Sequence, residues 1–294
     1  MTTLTDAARP AATPAPAFRP SGWQRSRTWL ADRFAIITAV VVLVYLFVPV
    51  AYTFVFSFNN YRKSNITWNP NGSPTLAHWK NPCGAPGVCE ALGVSLRVGI
   101  LATLAATALG TMLAFALVRH RFRGRTASNV LVFLPMATPE IVLGASLLTI
   151  FVQGFSNVGL KLGFWTIVIA HIMFCISFVV VTVKARLLSL DPKLEEAAAD
   201  LYASPGSAFW KVTFPLVLPG IIGAALLAFS LSFDDFIITN FVSGDETTFP
   251  KFVYVSYLRG IPAQANVIGF SMFLIAVILV VAGQVISNAR RPKD

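Results

Sequence analysis

The chain has 294 residues, of which 55% are hydrophobic and 12% are charged, and its formal net charge is +10. Soluble domains carry roughly 25% charged residues, so the composition excludes an ordinary soluble protein and indicates an integral membrane protein. The positive charge does not indicate nucleic-acid binding, because Lys and Arg flank long apolar runs and form no nucleic-acid-binding motif.

The N-terminal part of the chain divides into a polar segment and a first apolar run. Residues 1–33 begin Ala/Pro/Thr-rich and end basic, so we expect a disordered cytoplasmic segment there. The segment lacks the apolar stretch and small-residue cleavage site of a signal peptide. The run from Phe34 to Phe58 is long enough for a first membrane span, which needs about 20 apolar residues.

A polar segment from Asn59 to Glu90 follows and is predicted to be an external loop. It contains Cys83 and Cys89, separated by Gly-Ala-Pro-Gly-Val. An exported loop can hold a disulfide, and the Gly/Pro turn favours pairing of these two cysteines over two free thiols. Two cysteines are too few for a zinc site.

The second and third spans are predicted at Ala91 to Val118 and at Asn129 to Val152. Four Arg residues lie within Arg119–Arg125 between them, which places this connection in the cytoplasm. Inside the third span, Thr138-Pro139-Glu140 has the form of a helix start, with Thr as the cap and Glu in the first turn. We therefore expect the third span to be broken or kinked.

Three further spans complete the predicted fold, at Phe164–Val183, Leu216–Asn240 and Asn266–Ser287. The fourth span contains His171 and Cys175 on one helical face, and we interpret them as a packed, hydrogen-bonded histidine beside a buried thiol, with no metal site. Lys and Arg concentrate in the segments that this topology places inside the cell. The prediction is an all-α membrane domain over residues 34–288, with six spans, both termini inside and a cytoplasmic tail at 289–294.

The most informative connection is the polar loop from Asp191 to Pro219, between the fourth and fifth spans. Lys193 to Tyr202 consists largely of strong helix formers, and Ser204-Pro205-Gly206 is predicted to break that helix. A second short helix is expected from Ser207 to Phe214, ended by Pro215 and Pro219.

This loop resembles the E-A-A loop of ABC-importer permeases, the membrane subunits that pair with a separate ATPase and a substrate-binding protein. In that family the loop is the coupling helix that sits in a cleft of the ATPase, and the fold is that of type I ABC importers. The matching positions are Glu196-Ala197-Ala198, Ala203-Ser204, Phe209, Val212, Phe214-Pro215 and Pro219-Gly220. The resemblance assigns ATPase coupling to Glu195, Glu196, Ala197, Ala198, Asp200, Tyr202, Ala203, Ser204 and Gly206.

Tyr202 departs from the family pattern, which has Gly at this place. Gly permits a sharp bend, and Tyr does not. We therefore expect the bend of the loop to have moved to Ser204-Pro205-Gly206.

Acidic side chains inside spans are expensive, so they usually face a cavity or a partner. Asp234 and Asp235 are adjacent in the fifth span, and Glu140 is the third such acid. A path lined by these carboxylates suits a cation. The alternative is a structural role, in which the acids cap helices or pair with Arg97 or with a second permease subunit.

Most of the chain after Phe34 is similar to the spermidine/putrescine permeases, and to their second, C-type subunit in particular. The similar segments are Tyr45-Leu46-Phe47, the basic run from Arg119, P-E-I-V from Pro139, L-G-F-W from Leu162, F-V-V-V-T-V from Phe178 and L-S-F-D-D-F from Leu231. The resemblance implies a multi-pass protein of the bacterial cytoplasmic membrane, paired with a second permease, two copies of an ABC ATPase and an extracytoplasmic binding protein. In this reading Asp234 and Asp235 receive ammonium groups.

The predicted function is that of a permease subunit of an ATP-driven importer, with polyamines as cargo. The chain has no G-x-x-x-x-G-K-[ST] phosphate-binding motif and no credible catalytic triad, so we expect no enzymatic activity and no bound cofactor, with ATP and Mg on the partner ATPase. Two alternatives remain: a permease of the same class for an opine, phosphonate, iron(III) or sugar, or an ATPase-independent channel or carrier.

Overall fold

A computed structural model describes residues 22–60, 66–154, 159, 161–191 and 193–289, and every regular element within these residues is helical. The predicted disordered residues 1–21 and the tail 290–294 lie outside the described residues. The elements are α1 (Gly22–Phe56), α2 (Ala77–Lys80), α3 (Val88–Arg119), α4 (Arg125–Ala137), α5 (Glu140–Thr149), a first π-turn (Ile150–Gly154), α6 (Phe164–Leu188), α7 (Lys193–Asp200), α8 (Pro205–Ala208), a second π-turn (Phe209–Thr213), α9 (Phe214–Asp234), α10 (Ile237–Val242), α11 (Phe249–Arg259) and α12 (Ala263–Ala289).

The described residues up to Tyr52 form one unit, and those from Thr53 onward form another. Helix α1 begins at Gly22, so residues 22–33 are helical where the sequence analysis expects disorder. Its apolar side chains between Phe34 and Val48 are exposed. A helix that is apolar on all sides suits a surrounding of lipid or of another membrane helix.

The core of the second unit is built from α3, α6 and α9, which pack against one another. Small residues allow the close approach: a Cβ atom at Gly110 of α3 would lie 2.7 Å from Val179 of α6. Ala224 and Ala228 of α9 are fully buried in the same core. Close packing at small residues is typical of helix pairs in membranes, where lipid provides no hydrophobic drive between helices.

Five of the described helical segments are long and apolar enough to cross a membrane, and a sixth crossing results if α4, α5 and the first π-turn form one span. The two parts of that span are bent by 106°, which agrees with the predicted break in the third span. The predicted cap is wrong, however. Thr138 ends α4 instead of starting α5, and its hydroxyl donates to the carbonyl of Leu134 at 2.7 Å.

The second helix of the polar loop does not end at Pro215 and Pro219, as the sequence analysis expects. The chain stays helical from Pro205 through the second π-turn to Asp234. Pro215 lies in the first turn of α9, where the missing N–H group is tolerated. The N–H group of Phe214 donates to the carbonyl of Phe209 across the π-turn.

The connection between α1 and α3, which is predicted to be external, is ordered in its described parts, residues 57–60 and 66–87. The side-chain amide of Asn59 donates to the carbonyl of Thr67 at 2.8 Å, and the indole of Trp79 donates to Ser57 at 3.0 Å. Cys83 and Cys89 are joined by a disulfide just where α3 begins. The residues beside this disulfide pack on α11 and α12 through Val88, Phe249 and Ile268.

Candidate functional site

The predicted fifth span is interrupted at Asp235, which is the first feature of the candidate site. Helix α9 ends at Asp234, Asp235 is extended with φ −66° and ψ 124°, and α10 starts two residues later. The carboxylate of Asp235 caps α10: it accepts from the backbone N–H groups of Ile238 at 3.3 Å and of Thr239 at 2.8 Å. Asp is a favoured residue for this role, since its side chain satisfies N–H groups that the helix leaves free.

His171 of α6 contacts residues on both sides of this break. Its imidazole is 1% exposed. Nδ1 lies 2.7 Å from the hydroxyl of Ser232, and Nε2 lies 3.2 Å from the carboxylate of Asp235 and 3.0 Å from the hydroxyl of Thr239. A proton on Nε2 can be shared between Asp235 and Thr239, and the hydroxyl of Ser232 is the partner of Nδ1; the donor and acceptor roles are assigned from the network.

The environment of His171 agrees with the interpretation of a packed, hydrogen-bonded histidine. Cys175, one turn further along α6, is fully buried, and its thiol lies 3.5 Å from the carbonyl of Ala228. Among the described residues, no group of three His, Cys, Asp or Glu side chains has the arrangement of a metal site.

Glu140, one of the three acids predicted to line a path, begins the helix that packs against α10. Glu140, the first residue of α5, interacts electrostatically with both Asp234 and Asp235. Helices α5 and α10 pack closely, since a Cβ atom at Gly144 would lie 2.6 Å from the ring of Phe241. Helix α4 has 13 residues, and at 1.5 Å per residue it is roughly 20 Å long, so Glu140 is separated from the basic residues before α4 by most of an apolar helix.

The acids nevertheless differ in their surroundings. Asp235 is 8% exposed and fully engaged with His171 and Thr239, whereas Asp234 and Glu140 are exposed. The sequence analysis treats Asp234 and Asp235 as neighbours on one continuous helix, and this is wrong because the helix ends between them. The two exposed carboxylates are the ones free to meet a cationic group.

An aromatic pair lies next to the break and was missed by the sequence analysis. The rings of Phe236 and Tyr254 are 4.3 Å apart at an angle of 31°, and Tyr254 of α11 is 52% exposed. Aromatic faces attract alkylammonium groups. Asp-Asp-Phe interrupts an apolar run, and this interruption could have pointed to Phe236. Nothing in the local sequence indicates that α11 packs beside the break and brings Tyr254 to Phe236.

Lys251 fixes α11 to the segment after α10. Its ammonium group donates to the hydroxyl of Ser243 at 2.8 Å and to the carbonyls of Gly244 at 3.1 Å and Glu246 at 3.0 Å. Partial burial lowers the pKa of Lys251, although the nearby carboxylates of Asp245 and Glu246 act in the opposite direction. These bonds determine where Tyr254 lies relative to the break.

The polar loop between α6 and α9 bends at Tyr202. Tyr202 has φ +60°, its N–H group donates to the carbonyl of Ala199 at 2.9 Å, and the N–H group of Ala203 donates to Ala198 at 3.1 Å. These two bonds form a Schellman motif, which normally has Gly at the left-handed position. The expectation that the bend had moved to Ser204-Pro205-Gly206 is therefore wrong; Ser204 instead caps α8 by accepting from the N–H group of Ser207.

Most residues assigned to ATPase coupling lie on the surface of this loop. Leu201 is 83% exposed and Tyr202 is 99% exposed, and an apolar tip of this kind is typical of a protein contact surface. Glu195, Ala198 and Ala203 are only partly exposed, and the carboxylate of Glu195 bonds to Arg119 and Thr213 of this chain. The exposed members of the assigned set are Glu196, Ala197, Asp200, Tyr202, Ser204 and Gly206.

The amino-acid sequence is similar to those of several curated transport proteins. It is 32% identical over 248 residues to the spermidine/putrescine transport system permease protein PotC of Escherichia coli (strain K12), covering 84% of this chain and 91% of PotC. It is 35% identical over 237 residues to the putrescine transport system permease protein PotI of the same strain, covering 79% of this chain and 82% of PotI.

The fold is similar to that of solved ABC transporters. One is a bacterial ABC transporter involved in the import of the acidic polysaccharide alginate, with a TM-score of 0.67 and 18% sequence identity. The match covers 92% of this chain and 99% of the transporter's matched chain. The MetNI methionine ABC transporter in an inward-facing conformation matches 70% of this chain and 96% of its own with a TM-score of 0.57 at 17% identity.

Residues 106–290 match the family described as the binding-protein-dependent transport system inner membrane component, which includes both sides of the helix break and the whole polar loop. Together with the identity to curated permeases over most of the chain, this match settles the class. The chain belongs to the binding-protein-dependent transport system inner membrane components, and it is a multi-pass permease subunit of an ABC importer.

Proposed function

We propose that this permease subunit imports polyamines such as spermidine and putrescine, and that its exposed Asp234 and Glu140 are the carboxylates that the cation meets. The observation that supports the proposal is that two exposed acids, Asp234 at the end of α9 and Glu140 at the start of α5, interact electrostatically where α5 packs on α10. The names of the curated relatives, spermidine/putrescine and putrescine permeases, point to the same cargo.

The chemistry of a polyamine suits this arrangement. Each ammonium group requires an anionic or polar partner when it leaves bulk water, because an unpaired charge at membrane depth is costly. Two carboxylates on different helices can bind the cation transiently from two sides. The rings of Phe236 and Tyr254 offer contacts for the methylene chain and for an ammonium group.

The proposed assembly has this chain as one of two permease subunits, with six spans and both termini in the cytoplasm. Two copies of an ABC ATPase supply ATP hydrolysis with their own Mg and ATP, and an extracytoplasmic binding protein delivers the cargo. The exposed face of the polar loop, with Glu196 and Tyr202, docks on the ATPase. This chain binds no cofactor and catalyses no reaction; it provides half of a path whose access alternates with the state of the ATPase.

The proposal is tested in proteoliposomes that contain the complete complex, with radiolabelled spermidine and putrescine as cargo. We expect saturable, ATP-dependent uptake by the wild type, and a loss of most of that uptake when Asp234 is changed to Asn. Asp245→Asn is the matched control, because Asp245 is an exposed acid beyond the break. A second outcome is that the complex takes up no polyamine while its ATPase is stimulated by a binding protein loaded with another ligand. That result would show that the cargo is instead an opine, phosphonate, iron(III) or sugar. Uptake without ATP or the ATPase would favour a channel or carrier.

A further inference from the structure

Glu195 connects the polar loop to the membrane helices within this chain. Its Oε1 atom accepts a hydrogen bond from Arg119 Nη2 at 2.5 Å and from Thr213 Oγ1 at 2.6 Å. Arg119 is the last residue of α3, Glu195 lies in the first turn of α7, and Thr213 ends the second π-turn just before α9. One carboxylate oxygen thus joins three elements that are far apart in sequence.

The same junction is supported by apolar contacts and contains an open cleft. The rings of Phe115 in α3 and Phe209 in the second π-turn are 5.4 Å apart. Beside them lies a cleft of about 390 Å³ that is lined in part by Arg119, Glu195 and Thr213. The second π-turn runs directly into α9, whereas α7 bonds to Arg119 at the end of α3 and to Thr213 through Glu195.

The exposure of the Arg119–Glu195 ion pair favours a role in transmission over one in folding. The side chains of Arg119 and Glu195 are 32% and 35% exposed, and ion pairs with that exposure contribute little to folding. Helices α3 and α9, by contrast, pack on each other and on α6 through the core of the domain. A displacement of α7 that keeps the Glu195 bonds must move the ends of both helices with it.

We propose that Arg119, Glu195 and Thr213 form a clamp that transmits movement of the polar loop to α3 and α9, so that they are positioning residues for transport. This inference rests on the proposed docking of the loop on an ATPase. It assigns adjacent acids to different tasks: the exposed Glu196 faces the ATPase, and Glu195 faces this chain.

The test uses a readout that does not depend on the identity of the cargo. Cys175 is changed to Ala, and Asn240, exposed on α10 near the break, is changed to Cys in the assembled complex. The labelling rate of that cysteine by a membrane-impermeant thiol reagent is measured with and without a non-hydrolysable ATP analogue. We expect the nucleotide to change the rate in the wild type, and Glu195→Gln, Arg119→Gln or Thr213→Val to reduce that change by about fivefold, the size of a modest coupling.

Controls separate transmission from assembly. The ATPase must co-purify with every variant in normal amount, since the exposed docking face is unchanged. Arg123→Gln is the matched control, because Arg123 is exposed in the same basic connection. The charge-exchanged pair, Arg119→Glu with Glu195→Arg, is expected to restore part of the nucleotide effect, because it forms the ion pair between α3 and α7 again although Thr213 loses its acceptor.

The outcomes are distinct. A full nucleotide effect in the single variants would overturn the clamp while leaving the permease function intact, and so would failure of the exchanged pair to restore the effect. Absence of any nucleotide effect in the wild type would overturn both the docking proposal and the clamp. If polyamine uptake fails but the nucleotide effect and its loss in the variants are as expected, only the proposal that the cargo is a polyamine is overturned.

Discussion

The imidazole of His171 and the carboxylate of Asp235 are 64 positions apart in sequence, and their Nε2 and Oδ2 atoms lie 3.2 Å apart inside the helical domain. The bond joins the middle of the central helix α6 to the point where α9 gives way to α10. It also separates two adjacent acids, because Asp235 is turned into the protein and Asp234 is left on the surface of the break. The two Asp residues should therefore fail in different ways when they are changed.

Asp234→Asn is expected to reduce ATP-dependent uptake about tenfold without lowering the thermal stability of the subunit, because it removes one charge from an exposed group of the path. Asp235→Asn is expected to lower the melting temperature instead, because it weakens the cap of α10 and the bond to His171. The two measurements are initial uptake rates in proteoliposomes and thermal denaturation of the purified subunit. The reverse pattern, with a stable but inactive Asp235→Asn variant and an active Asp234→Asn variant, would show that Asp235 is the group that meets the cargo.

His171→Ala should destabilise the domain by about 1–3 kcal/mol, since it leaves the buried Ser232 hydroxyl and the Asp235 carboxylate without their partner. The measurement is the free energy of unfolding, or the melting temperature where unfolding is irreversible. His120→Ala provides the comparison, because His120 is exposed at the end of α3. Equal stability of the two variants would contradict the structural role of the buried network.

The long apolar elements could be predicted closely from the sequence. Helix α6 starts at Phe164 as expected, and α3 extends only a few residues beyond the predicted second span. Bilayer thickness and apolar length determine such elements with little help from tertiary contacts. The break at Thr138-Pro139 was also predictable, because proline cannot donate the next helical hydrogen bond.

The break at Asp235 could not be predicted in the same way. Neither Gly nor Pro occurs in the run from Leu231 to Asn240, so no helix-breaking residue marks the place. The partner that stabilises the extended conformation is His171, which only the packing of α6 against α9 brings near. The position of the bend in the polar loop was mispredicted for a related reason. Tyrosine intrinsically disfavours positive φ, but the two backbone hydrogen bonds of the Schellman motif hold Tyr202 in that conformation.

Replacing Tyr202 with Gly should stabilise the isolated subunit by roughly 1 kcal/mol, because Gly adopts the left-handed conformation without the steric penalty of a side chain. Tyr202→Val should destabilise it, since a β-branched residue is least tolerant of positive φ. Thermal denaturation of the subunit without its ATPase measures this effect alone, apart from any contact that the exposed ring makes with a partner. A lower melting temperature for Tyr202→Gly than for the wild type would contradict the strained conformation.

The disulfide between Cys83 and Cys89 should protect both thiols from alkylation in protein purified from cells without reductant. Mass spectrometry after alkylation should then find label only on Cys175, and only after unfolding, because Cys175 is fully buried. Changing both Cys83 and Cys89 to Ser should lower stability, because the short covalent loop at the start of α3 restricts the unfolded chain. Complete labelling of both cysteines in folded protein would exclude the bond.

Gly110→Ala tests the close packing of α3 against α6 that supports the whole site. A Cβ atom at this position would lie 2.7 Å from Val179 Cγ1 and 3.2 Å from the carbonyl oxygen of Ile176. Because the nearby backbone cannot rotate away, the added methyl must push the helices apart at a cost of about 1–3 kcal/mol. Gly223→Ala is the matched control: no atom lies within 4 Å of its added Cβ, so the higher helix propensity of Ala should leave stability unchanged or raise it by about 1 kcal/mol. The melting temperature should therefore fall for Gly110→Ala and stay unchanged or rise for Gly223→Ala. Because α6 also carries His171, Gly110→Ala should reduce uptake as well as stability. If both glycines tolerate Ala equally, the contact between α3 and α6 is looser than the one described here.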